Sequence, residues 1–229
     1  MTSTKQNSTR EVFIPVPPSN EEIGAFLTVP PEAISIVVFA HGSGSSRHSG
    51  RNQVVAEVLN RAGFATLLLD LLTPGEEKED QATREHRFDI PLLARRVKEG
   101  IRWLSEREET SDLKVGTFGS STGAAAALIA AADLPNEVEA VVSRGGRPDL
   151  ADEALYRATA PTLYIVGQRD MEVIELNREA MKHHVAQVQH LELIPGATHL
   201  FSEPGTLEQA AEAARDWFVR YLGTHLPSS

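Results

Sequence analysis

The sequence predicts an α/β domain with a mainly parallel sheet of about eight strands and helices on both faces. Two observations lead there. Short continuous aliphatic runs, such as "ISIVVFA" (34–40) and "FATLLLD" (64–70), alternate with longer stretches of helical spacing. No Pro/Ser-rich linker, internal repeat or low-complexity block interrupts the 229 residues, a length that buries a sizeable core as one domain. The expected organisation is a disordered polar tail over residues 1–10 and a single domain over residues 11–229.

Taken in order, Glu11 to Val16 and Ile23 to Val29 read as two strands, antiparallel across the turn "PVPPSNEE". The buried strand at 34–40 ends in a Gly/Ser-rich loop, "HGSGSSRHSGRN". A helix over Gln53–Arg61 follows, with Val54, Val55, Val58 and Leu59 on one face. After the strand at 64–70, the acidic "TPGEEKEDQ" (73–81) is expected to be a solvated loop, and Glu85 to Glu106 a long helix. "LKVGTFG" (113–119), "EAVVS" (139–143), "PTLYIVG" (161–167) and "HLELIPG" (190–196) complete the strands. The remaining helices are expected over Thr122–Ala132, "IELNREAMKHH" (174–184) and Leu207–Leu222.

Composition excludes several function classes. A formal net charge of −10 argues against a general nucleic-acid or anionic-membrane binder. With no cysteine, disulfides, thiolate zinc sites and a cysteine nucleophile are all ruled out. The first residues lack an apolar signal segment, and the longest near-apolar run, Ala124 to Ala132, is too short to span a bilayer. A cytoplasmic protein, monomer or homodimer, acting on a small molecule without cofactor or metal is the expectation.

The informative stretch is "TFGSSTGAAAA" (117–127), at the junction of the central strand and its helix. G-x-S-x-G fits Gly119 to Gly123 with Ser121 in the middle, whereas centring it on Ser120 would need glycine at Phe118 and Thr122. At such an elbow the serine occupies a strained turn that flanking glycines relieve, and the helix that follows directs its positive end at a developing oxyanion. The plain alternative is a serine N-cap. A nucleophilic serine needs a base and an orienting acid, in chain order Ser, Asp/Glu, His on this kind of sheet. Asp170 follows the strand in "YIVGQRD" and His199 lies in "IPGATHLF", after the last strand. Asp149, Asp152, Glu172 and Glu175 are alternative acids, and Asp170 also fits a helix N-cap. His183, His184, His190 and His225 read as surface or core residues, His48 and His86 as solvated.

For the oxyanion the expected donors are the backbone N–H of Thr122 and that of Ser43 in "HGSGSS", with Gly44 next to it. The same loop has a glycine content suited to phosphate, but lacks the P-loop lysine. His41 with His48 lacks a third metal ligand.

Together "VVFAHGSGSSRHS", "TFGSSTGAAAAL", "YIVGQRD" and "GATHLF" resemble an α/β-hydrolase, in the dienelactone-hydrolase-like branch of small, lidless members. The resemblance covers roughly residues 11 to 222 and implies the α/β-hydrolase fold without a cap domain and a triad of Ser121, Asp170 and His199. Serine stands at 121 where dienelactone hydrolases carry cysteine, which points to an ordinary small soluble ester rather than dienelactone. Thioesterase, acyltransferase, perhydrolase and non-catalytic ligand-binding readings use the same residues. Arg144, after the strand at 139–143, and Arg47, in the oxyanion loop, are candidate ligands for a substrate carboxylate; the alternative for Arg144 is a structural ion pair beside Asp149 and Asp152.

Overall fold

The structure, a computed structural model, describes residues 8–223. Its strands are β1 (Thr9–Pro15), β2 (Glu22–Thr28), β3 (Ser35–Ala40), β4 (Ala65–Leu69), β5 (Lys114–Ser120), β6 (Val138–Arg144), β7 (Thr162–Gly167) and β8 (Gln189–Ile194). The helices are α1 (Gly50–Arg61), α2 (Pro74–Thr83), α3 (Ile90–Ser105), α4 (Thr122–Asp133), α5 (Met171–His183) and α6 (Thr206–Leu222). One sheet of eight strands runs in the order β1-β2-β4-β3-β5-β6-β7-β8. Only β2 pairs antiparallel, with β1 on one side and β4 on the other; β3 to β8 are parallel. Strands β3, β4 and β7 are buried along their whole length, which is why they read as unbroken apolar runs.

Two cores cover the sheet. On one face Val55 and Leu59 of α1 pack with Ala210, Ala214 and Phe218 of α6 against Phe39 and Phe118. On the other, α3 and α4 bury Leu93, Val97, Ala126 and Leu128 against Ile36, Val38 and Leu67. Because α4 is alanine-rich and buried almost all round, it sits close to β5, and the carboxyl end of that central strand becomes the natural place for a site. Between β6 and β7 the chain forms only a 3-10 helix, Pro148–Tyr156, so no cap domain covers that edge.

Three expectations are corrected. Thr9 and Arg10 belong to β1, paired with Thr28 and Leu27, so the edge strand reaches into the expected tail; residues 1–7 of that tail lie outside the described residues, as does His225. The acidic stretch at 73–81 is helical. Thr73 and Glu76 form a reciprocal capping box, Pro74 sits in the first turn, and Glu76 and Glu77 lie at the positive end of the helix. Its acids are partnered: buried Asp80 accepts from Arg87 Nε at 2.5 Å, and Glu76 Oε1 accepts from Arg96 at 2.5 Å. The long helix starts at Ile90 rather than Glu85, because Asp89 caps it through Leu92 N–H and a 3-10 turn, His86–Phe88, precedes it.

Candidate active site

Ser120 and Ser121 part company at the end of β5. Ser120 is the last strand residue, buried, and its Oγ donates to Asn52 Oδ1 at 3.3 Å. Ser121 has φ 52° and ψ −123°, a strained backbone for a residue with a side chain. The turn is held from three sides. Ser121 N–H reaches the Arg144 carbonyl at 3.4 Å, and its own carbonyl accepts from Ala124 and Arg147 at 3.1 and 3.0 Å. A Cβ at Gly119 would lie 2.4 Å from the Ala124 backbone, and one at Gly123 would lie 2.3 Å from the Ala40 carbonyl oxygen. Both glycines of the motif are therefore steric requirements of the turn. Ser121 makes no side-chain cap on α4.

His199 and Asp170 come together as the sequence order suggests. His199 Nδ1 and Asp170 Oδ2 are 2.6 Å apart, with the histidine side chain 42% exposed and the carboxylate 14% exposed. Asp170 precedes α5 but makes no capping hydrogen bond, so its carboxylate serves the histidine alone. The acid orients the ring with Nδ1 protonated, leaving Nε2 free to accept a proton. His199 is carried on a loop pinned by Glu203, which accepts from the Thr198 N–H at 3.0 Å and the Thr198 hydroxyl at 2.7 Å. Those two bonds hold the Glu203 carboxyl below its ordinary range. Two of the four alternative acids are occupied: Asp149 lies in the fork of Arg147 and Glu175 pairs with Arg178.

Ser121 and His199 face a cavity of about 230 Å³ at the carboxyl edge, shared with Ser43, Ser49, Arg51 and Arg144. Gly42 also lines the cavity, and a Cβ there would meet Ser121 Cβ at 2.9 Å, so only glycine lets the loop after β3 approach Ser121 this closely. Neither the Ser43 nor the Thr122 N–H is engaged by an acceptor among the hydrogen bonds of the described residues. The loop is anchored by His41, whose Nε2 accepts from Leu71 N–H at 3.2 Å, so that Nδ1 is the donor to the Gly42 carbonyl at 2.8 Å. Burial lowers the pKa of His41, keeping the ring neutral. Above pH 6.5 the ring is neutral folded or unfolded; below it the unfolded chain takes up a proton that the folded chain refuses. Stability is therefore expected to fall below pH 6.5, and a His41→Gln variant to show a flatter dependence of Tm on pH between 7.5 and 5.5. Equal slopes in variant and wild type would refute this.

The two arginines singled out in the sequence separate. Arg144 reaches the cavity and is 6% exposed. It forms no ion pair with Asp149 or Asp152; its one side-chain hydrogen bond is from Nη2 to Asn52 Oδ1, at 3.3 Å. Arg47 does not join it. Its guanidinium pairs with Asp70 and with Glu11, the latter at 2.5 Å, and lies 5.2 Å from the centre of the Phe26 ring, away from Ser121. Two carboxylates, Glu11 within β1 and Asp70 just after β4, draw it outward and make it a brace for the loop. The arginine at the cavity mouth is Arg51, in the first turn of α1, which the sequence reading did not single out. Among the described residues no group of three metal-binding side chains comes together, and no helix is long and apolar enough to cross a membrane.

The dienelactone hydrolase family model matches residues 23–226. The chain belongs to the dienelactone hydrolase family. A dienelactone hydrolase from Anabaena variabilis shares 51% identity and superposes with a TM-score of 0.91, covering 95% of this chain and 99% of that one. The Pyrococcus furiosus esterase Pf2001, at 18% identity and TM-score 0.78, shares the fold over 95% of this chain and 94% of its own. Among curated proteins, "Putative phosphoribosyl transferase MT0597" of Mycobacterium tuberculosis is 58% identical over 200 residues, which is 87% of this chain. This member of the dienelactone hydrolase family spans only 44% of that relative's length, so the transferase name describes a much longer protein.

Proposed function

We propose that the protein is a serine hydrolase that cleaves small soluble carboxylic esters through an acyl-enzyme. The observation that carries this reading is the strained Ser121 on the same cavity as Ser43 and the Asp170-paired His199, with the Ser43 N–H and the neighbouring Thr122 N–H both unengaged. His199 Nε2 takes the Ser121 proton as Oγ attacks the acyl carbon, and the Ser43 and Thr122 amides receive the oxyanion. His199 then protonates the leaving alcohol. In the second half it activates water, which releases the acid and restores Ser121, while Asp170 stabilises the imidazolium throughout.

The edge of the sheet is open, with only the short 3-10 segment Pro148–Tyr156 between β6 and β7. Short soluble esters are expected to give the highest kcat/KM in a p-nitrophenyl ester series, with no rise in rate as a long-chain ester passes its micellar threshold. A jump at that threshold would reject the open-site reading. Absence of turnover across the whole series, with no labelling by a fluorophosphonate, would reject the hydrolase in favour of a ligand-binding role.

A further inference from the structure

A buried guanidinium without an acid is unusual, since charges removed from water are ordinarily paired. Arg144 is such a group: it is 6% exposed, appears in no ion pair among the described residues, and its Nη1 has no hydrogen-bond partner. Asn52 supplies one neutral oxygen, and the Phe118 and Phe201 rings lie 5.8 and 5.7 Å from the guanidinium carbon. None of these neutralises the charge.

A second positive charge stands beside it. Arg51 lines the same cavity, is close enough to lower the Arg144 pKa further than burial alone does, and has no ion-pair partner among the described residues. Arg51 also lies in the first turn of α1, a helix of 12 residues whose N-cap, Ser49, lines the cavity too. The helix N-terminus adds partial positive charge, and while the Ser49 hydroxyl takes the Asn52 N–H, the Gly50 and Arg51 N–H groups have no acceptor among the described residues. Repulsion between two guanidiniums and a helix end destabilises the empty pocket, and an anion carrying two charges relieves it.

We propose that this corner of the cavity is a phosphate subsite, so that the ester taken by Ser121 carries a phosphate monoester group. The proposal rests on the ester-hydrolase reading for its substrate, though not for the binding of phosphate itself. A single carboxylate matches one guanidinium and leaves the other uncompensated. A phosphate dianion has three terminal oxygens, enough for Arg144, Arg51 and the N–H groups of the first turn of α1. The subsite adjoins the nucleophile and holds the substrate's charged end while leaving the Ser43 and Thr122 amides to the scissile carbonyl.

Inorganic phosphate is the probe, compared with acetate at matched ionic strength and pH 7.5. Calorimetry on the Ser121→Ala protein reads binding without any turnover, and inhibition of p-nitrophenyl acetate hydrolysis by the wild type reads its location. The expected result is one phosphate per chain, at least about tenfold tighter than acetate and competitive with the ester. In Arg51→Gln, phosphate binding weakens about tenfold; in Arg144→Lys, which keeps the charge but not the fork, it weakens as well. Phosphate no tighter than acetate, or unchanged in Arg51→Gln, overturns the subsite. If the wild type cleaves no ester, the calorimetry still decides on phosphate; if it cleaves esters but binds no phosphate, only the subsite falls.

Discussion

Replacing Ser121 with alanine is expected to lower ester turnover by on the order of 10⁴-fold or more and to abolish labelling by a fluorophosphonate. Ser120→Ala is expected to keep the labelling. The two serines are neighbours in the chain, but the backbone sends them to opposite fates. Ser120 closes β5 with its hydroxyl spent on Asn52, inside the face covered by α1. Ser121 stands at φ 52° in the tight turn that Gly119 and Gly123 permit, with Gly42 against its side chain. Removing the Ser120 hydroxyl deletes one buried hydrogen bond, worth about 1 kcal/mol of stability, and leaves the turn as it is. Labelling retained by Ser121→Ala and lost by Ser120→Ala would reverse the assignment.

The second large effect is expected at Asp170. Asp170→Asn should cost on the order of 10⁴-fold in kcat with little change in KM. The carboxylate accepts the Nδ1 proton of His199 across 2.6 Å; an amide donor in its place favours the tautomer with the proton on Nε2, where it cannot take the serine proton. The fold should survive, because Asp170 makes no capping bond to α5 and is replaced by a residue of the same shape. Turnover within a few-fold of wild type would move the role to another carboxylate, with Asp152 and Glu172 next in line because Asp149 and Glu175 are held by Arg147 and Arg178.

Much of this was legible without coordinates. Strands such as β3 (Ser35–Ala40) and β7 (Thr162–Gly167) are buried on both faces, so burial itself writes them as unbroken, mainly apolar runs. The serine register is legible from two glycines at fixed spacing, although only one of the clashes they avoid is local: a Cβ at Gly119 meets the start of α4, whereas one at Gly123 meets the Ala40 and His41 carbonyls at the end of β3. The order Ser121, Asp170, His199 likewise comes from parallel strands, β5, β7 and β8, that end at one edge. Helix α2 is the instructive miss among the elements. Thr73-Pro74-Gly75-Glu76 is a readable capping box, but the acidic run behind it suggests solvent until Arg87 and Arg96 are seen to neutralise Asp80 and Glu76.

What the sequence by itself determined is therefore the sheet, its strand-to-helix junctions and the order of Ser121, Asp170 and His199, written in the period of burial and in the glycines that close approach demands. Which arginines line the cavity beside Ser121 was decided only by the tertiary structure. "SSRHSGRN" offers Arg47 and Arg51 four residues apart. Arg47 is drawn away because Glu11 on β1 and Asp70 after β4 converge on it, across sequence separations of 36 and 23 residues. Arg51 is left beside Arg144 because, among the described residues, no acid pairs with either of them. Charge pairing in a folded chain depends on distances between distant segments, and those distances exist only once the sheet has assembled.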